Sequence, residues 1–229
     1  MISEMFAHGF IQRAFIGGVL VSLCAALLGV SLVLKRYSMI GDGLSHVSFG
    51  ALSIAIALGF APIKFSIPIV IIAAFFLLRL AENGKMKSDA AIAMVSASSL
   101  AIGVIVTSLT TGLSTDVCSY MFGSILAMSK DDVIFSVVLS VVVLIMFGFC
   151  YHRIFAVTFD ESFSKATGVK VGMYNTLISI FTAVTVVLGI KMMGAMLISS
   201  LIIFPALTSM RVFKSFLSVT ICSAILAVI

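Results

Sequence analysis

Long apolar runs separated by short polar breaks set the pattern of this chain. The first run covers about 10–34 and stops at Lys35-Arg36. A polar stretch, SMIGDGLSH, occupies 38–46, and further runs follow at 47–61, 65–81 and 90–109. A shorter one lies at 117–128, and longer ones at 133–151, 171–189 and 193–210. A last run starts near Phe216. A helix needs about 20 residues to cross a hydrocarbon core, so most of these runs predict crossings. At about 1.5 Å of rise per residue, 117–128 is too short to cross straight. It predicts an outer re-entrant or interfacial helix. The expected fold is all-α: a polytopic bundle of about seven or eight spans in a single transmembrane domain over 1–229.

Composition removes the alternatives. Of the 229 residues, 62% are hydrophobic and 10% charged, with a mean hydropathy of +1.29. A soluble domain is nearer half apolar and a quarter charged. The polar surface is too small to cover a globule in water, which excludes a soluble enzyme, a nucleic-acid binder and a disordered chain. The net charge of +5 therefore bears on orientation and not on nucleic acid. With the Asp160 segment placed inside and the spans alternating, ten of the fourteen Lys and Arg fall on the inner side. The outer side keeps Arg13, Lys64, Lys130 and Lys191. That asymmetry predicts an outside N-terminus and seven full crossings. Cys24, Cys118, Cys150 and Cys222 are scattered, form no CxxC pair, and read as small apolar residues. The N-terminal run is too long for a cleaved signal and no A-x-A-like site follows it.

Small residues recur every four positions at Ala51, Ala55 and Gly59, and again at Ala93, Ala97 and Ala101. Both stripes predict helix-packing faces. Pro205 lies inside the seventh span and predicts a helix kink there.

Ionisable groups at membrane depth are costly, so they come first as candidates for chemistry. Asp42 and His46 are four apart in GDGLSH. On a helix they would share one face, one turn apart, and could hold one divalent cation. Two ligands do not complete a tetrahedral zinc site, so water, other helices or a second copy would have to contribute. The competing reading makes Asp42 a helix cap accepting from the backbone at Ser45. Spacing alone leaves both open. Gly41 and Gly43 read as a turn after Lys35-Arg36. Met192, Met193 and Met196 read as packing rather than a copper site. His8 and His152 read as solvated residues near span ends. An intramembrane hydrolase built on Ser45/His46 fares poorly, because adjacent helical side chains diverge.

TFDESFSKATGVK, 158–170, predicts a short amphipathic helix outside the membrane. Phe159, Phe163 and Ala166 lie on one side, Asp160, Glu161 and Lys165 lie elsewhere, and Gly168 stops it. The pattern suits either docking to a partner or lying along the bilayer. The chain has no G-x-x-x-x-G-K-[ST], so it cannot cradle ATP phosphates by that route. Energy for pumping would come from another subunit or from an ion gradient.

LVLKRYSMIGDGLSHVSFG at 32–50, VTFDESFSKATGVKVGMYN at 157–175 and GIKMMGAMLISSLIIFPALT at 189–208 resemble the membrane subunits of bacterial zinc/manganese/iron ATP-binding-cassette uptake transporters. FIQRAFIGGVL at 10–20 fits as well. The resemblance implies a permease of the bacterial cytoplasmic (inner) membrane that pairs with a second copy or a close paralogue. It implies cytoplasmic ATP-binding subunits and an extracytoplasmic metal-binding protein, with no permanently bound cofactor. Through the D-x-x-x-H motif it implies that Asp42 and His46 coordinate the metal in passage. Zinc is the first expectation, on family frequency, with manganese or iron next. It also implies that 160–168 is the coupling helix that fits the ATPase. Family members are usually longer at the C-terminus, so truncation there is expected. A gradient-driven secondary metal carrier is the alternative; its weakness is the scarcity of intramembrane carboxylates for a proton relay.

Overall fold

The computed structural model describes residues 9–37, 39–82, 88–110, 123 and 130–229. The expected outer helix at 117–128, with Cys118 and His8, lies outside the described residues apart from Gly123. The chain runs through α1 (Gly9–Leu34), α2 (Ile40–Ala57), α3 (Pro62–Glu82), α4 (Ser88–Leu109) and α5 (Lys130–Phe159). It continues through α6 (Glu161–Ala166), α7 (Val171–Met193), α8 (Ala195–Val212) and α9 (Phe216–Val228). No strand occurs among the described residues. Six of these helices are long and apolar enough to cross a membrane by length and composition. The apolar helices Lys64–Leu77 and Phe216–Val228 are shorter. The expected all-helical, multi-pass membrane class is observed.

α7 forms the centre of the bundle. Every residue from 181 to 190 is buried, and the helix packs against α1, α2, α3, α5 and α8. An all-round apolar helix has no stripe to turn toward one neighbour, so it is covered on every side. Most of its hydroxyls are matched within the helix, although Thr185 Oγ1 is buried without a hydrogen-bond partner among the described residues. Ser179 Oγ donates to the Asn175 carbonyl at 2.7 Å and Thr182 Oγ1 to the Ile178 carbonyl at 2.8 Å, each within the helix. α4 and α5 are the opposite case. Only 17% and 28% of their most apolar windows are buried, against 72% for α7. Their exposed Ile, Val, Phe and Met side chains form the surface that hydrocarbon covers.

Contacts identify which helix ends lie together. Lys35, just past α1, meets Glu161 of α6 at 2.7 Å. The Phe216 ring at the start of α9 lies 4.9 Å from that of Phe155 near the end of α5. At the other end, Gly17 of α1 faces Met192 of α7. Lys35, Arg153, Lys165 and Lys214 therefore gather at one end, while Arg13 and Lys191 lie at the other.

Two packing expectations need correction. Ala93, Ala97 and Ala101 do not face the bundle; all three are exposed. α4 meets α2 instead through Ile92, Ser99 and Gly103, a different face of the same turns. Gly59 is not a packing residue either. It follows α2 with φ +73, exposed, and ends the helix. Ala51 and Ala55 are buried as expected. Pro205 lies buried inside α8, and Ser209 Oγ donates to its carbonyl at 2.7 Å.

Candidate metal-binding pair and docking helix

Asp42 and His46 stand on α2, whose first residue is Ile40. The helix begins seven residues before the apolar run at 47–61 does, and so takes in the whole GDGLSH stretch. Gly41 and Gly43 are thus helical, not a turn. Their role is close approach. A Cβ on Gly43 would lie 2.6 Å from Ile92 Cγ2 of α4, and one on Gly41 would lie 3.1 Å from Ile202 Cδ1 of α8. The turn lies upstream. Arg36 has φ 61, and the amides of Lys35, Arg36 and Tyr37 bond back to the last turn of α1.

The capping alternative for Asp42 is not what forms. The N-cap of α2 is Met39, with no side-chain cap bond, and Asp42 sits within the first turn. There the helix dipole favours its carboxylate. His46 Nε2 lies 3.7 Å from Asp42 Oδ1, too far for a hydrogen bond. The side chains are 25% and 47% exposed, respectively. A zinc ion about 2.1 Å from each atom would see them at about 125°, somewhat wider than tetrahedral. The pair therefore fits a shared cation with only slight closure. Among the described residues no group of three or more His, Cys, Asp or Glu converges as a metal site. The pair by itself offers two donors, fewer than the four a tetrahedral zinc site takes.

The depth of the pair follows from its neighbours. Ser45 Oγ, between the two ligands in sequence, donates to the Gly41 carbonyl at 2.8 Å and lies 3.2 Å from Ser199 Oγ. Ser199 and Ile202 both lie well inside α8. Asp42 and His46 are accordingly level with the interior of α8 and not with its tip. Ser45 Oγ is engaged by the Gly41 carbonyl and Ser199 Oγ, so a Ser45/His46 nucleophile pair is not assembled.

α6 has the expected limits. Asp160 is its N-cap and accepts from the Phe163 amide at 2.9 Å; Gly168, with φ +80, closes it. Phe159 and Phe163 are 75% and 65% exposed, and Ala166 is exposed beside them. Glu161 departs from that face. It turns inward to Lys35, while Asn175 Nδ2 of α7 donates to its Oε1 at 3.1 Å. Lys35 Nζ also donates to Asn175 Oδ1. Burial alone would raise the Glu161 pKa. The hydrogen bonds from Lys35 and Asn175, with the charges of Lys35 and Lys165, outweigh it and hold the carboxyl below its ordinary value. Asn175 and this role of Lys35 were not singled out by sequence reasoning. The available signal was an amide near the start of an apolar span.

The remaining candidates resolve as packing. Met192 and Met193 lie against Gly17 and Gly18, and Met196 points outward. Cys24, Cys150 and Cys222 are free thiols. His152 is on helix α5, exposed, with its ring edge-on to Tyr151.

A family model described as "ABC 3 transport family" matches residues 7–229. The chain belongs to this family. It is 32% identical over 214 residues to a "Probable metal transport system membrane protein" of Treponema pallidum, covering 93% of this chain and 80% of that one. It is 28% identical over 217 residues to "Manganese import system permease protein ScaB" of Streptococcus gordonii, covering 95% and 78%. It is 28% identical over 198 residues to "High-affinity zinc uptake system membrane protein ZnuB" of Haemophilus influenzae, covering 86% and 76%. Among solved structures, PsaBC of Streptococcus pneumoniae, in complex with a Fab, matches with a TM-score of 0.84 at 27% identity. That match covers 100% of this chain and 83% of the other. The resemblance to metal-uptake permeases, expected from the three motifs, is borne out.

Proposed function

We propose that this chain is the permease subunit of an importer that carries a divalent transition metal across the bacterial cytoplasmic membrane. Zinc is the first choice of cargo, with manganese or iron next; the relatives named for zinc and for manganese are nearly equally similar. The observation that carries the reading is the Asp42–His46 pair, held 3.7 Å apart on one helix face inside the bundle. It offers an ion two donors and leaves coordination positions open. A second copy of the chain, or a close paralogue, supplies the rest by facing its own pair across a shared path. An extracytoplasmic binding protein delivers the metal at the end where Arg13 and Lys191 lie, which places the N-terminus outside. ATP is hydrolysed by separate cytoplasmic subunits, which receive the exposed Phe159, Phe163 and Ala166 face of α6. Alternating access then exposes Asp42 and His46 first outward and then inward. The chain acts as one permease domain in this scheme.

The test is metal uptake by the reconstituted complex, compared across Zn, Mn and Fe. His46→Ala is expected to abolish uptake while the ATPase subunits remain bound. Undiminished metal accumulation by that variant would rule the pair out. Phe163→Asp is expected to release the ATPase subunits. Uptake that needs no ATPase and follows an ion gradient would instead identify a secondary carrier.

A further inference from the structure

The site and the docking helix are joined by groups to which the proposed function assigns no role. Lys35 is the most deeply buried of the charged groups at this end, with only 6% of its side chain exposed. A buried ammonium persists only when its charge and its donors are matched. Here the match is a closed triangle. Lys35 Nζ binds Glu161 Oε1 at 2.7 Å and Asn175 Oδ1, and Asn175 Nδ2 returns to Glu161 Oε1 at 3.1 Å. The three residues come from the end of α1, from α6 and from the start of α7. Glu161 is the second residue of the 160–168 segment and sits on the side away from Phe159 and Phe163.

The described backbone around Lys35 is hydrogen-bonded to the end of α1 and to the start of α2. The Lys35 amide bonds to the Ser31 carbonyl at 3.1 Å, that of Arg36 to Val33 at 3.0 Å, and that of Tyr37 to Leu32 at 2.9 Å. The Ile40 amide then bonds to the Tyr37 carbonyl at 3.1 Å, and Ile40 opens α2. Asp42 lies in that first turn. α6 packs chiefly on its chain neighbours α5 and α7. The Lys35–Glu161 ion pair is therefore a direct side-chain link from α6 to the turn that sets the start of α2.

We propose that Lys35, Glu161 and Asn175 act as a strut that carries displacement of α6 to the start of α2, and so to Asp42 and His46. These are positioning residues; none of them touches the metal. The inference rests on α6 being the docking helix. Movement of Glu161 toward or away from the bundle pulls the ammonium with it, and the hydrogen bond from the Ile40 amide to the Tyr37 carbonyl passes the motion to α2. α7, whose residues 181–190 are all buried, gives the strut its second anchor through the buried Asn175.

The experiment measures metal taken up per ATP hydrolysed by the complete transporter in liposomes, with its ATPase subunits and binding protein. Lys35→Met removes the buried charge and keeps the stem's bulk, so Glu161 is free to turn to water. The complex is expected to assemble and to hydrolyse ATP, while uptake per ATP falls about tenfold or more, as for loss of a charge-assisted bond. Lys35→Arg is expected to keep most of the coupling. The exchange Lys35→Glu with Glu161→Lys is expected to recover part of it. Asn175→Ala, which leaves the ion pair in place, is expected to give a smaller fall and serves if Lys35→Met does not assemble. An unchanged ratio in the assembled variants, or uptake and hydrolysis falling in step, would overturn the strut. Failure of the docking reading is separate: it would show as Phe163→Asp retaining its ATPase subunits.

Discussion

Two polar clusters flank one short turn and differ in how they are finished. In the Lys35–Glu161–Asn175 cluster, a buried cation, an anion and an amide bind one another. In the Asp42–His46 pair, two groups share a helix face 3.7 Å apart and do not hydrogen-bond. Both sit in an apolar bundle where unmatched polarity is costly. The first cluster is complete without a ligand and so holds parts of the protein together. On the proposed function, the second gains its missing partner only when an ion arrives. Closure of a polar network marks a joint, and an open pair marks a seat.

Exchanging charge for neutrality at each cluster should break that contrast most clearly. Glu161→Gln leaves the Lys35 ammonium buried without a counter-charge. It should lower stability by about 2 kcal/mol, less than for a fully buried pair because Glu161 is 37% exposed. Asp42→Asn should cost under about 1 kcal/mol, the helix-dipole term alone. It should still abolish uptake. Thermal unfolding of the purified permease in detergent compares the two, and equal losses would erase the distinction.

Packing around the seat gives a smaller effect. Gly43→Ala places a Cβ 2.6 Å from Ile92 Cγ2, the end of a side chain that can shift. The net cost should be about 1 kcal/mol, overpacking offset in part by better helix propensity. Metal affinity should weaken in step, because α2 moves relative to α4; binding calorimetry reads it. Gly43→Ala combined with Ile92→Leu, which removes the Cγ2 branch that the new Cβ meets, should recover both quantities.

Acid should act on the joint and only at low pH. Glu161 has a lowered pKa, so its contribution is fully present above the ordinary value of 4.5 and is lost as pH falls through the lowered one. Hydrogen-exchange protection of the α6 amides, corrected for intrinsic rates, should stay flat between neutral pH and 4.5. It should fall only below that. A decline beginning near neutral pH would mean that another group controls the dock.

Much of this arrangement was legible in the sequence, for identifiable reasons. Apolar runs near bilayer length fixed most spans, and Gly168 marked the end of α6, while the Asp160 cap that separates Phe159 of α5 from α6 was not read. Asp42 and His46 were visible because their spacing matches one helical turn. The start of α2 was misread because Gly-Asp-Gly carries the local chemistry of a turn. Contacts with Ile92 and Ile202, distant in sequence, explain those glycines. The alanine stripe of α4 showed a period but not which face would be covered. The strut was invisible for a plainer reason: Lys35 stands 126 and 140 residues from its partners. No local pattern records a pairing of that range.

The burial of residues 181–190 of α7 has a further consequence. That half of the helix cannot slide or tilt unless its neighbours yield together. On the proposed function it is the stator, and the moving parts are the helices arranged around it. Changes in bilayer thickness should therefore register on α4 and α5, whose outer faces meet the acyl chains, and leave the axle at the centre untouched.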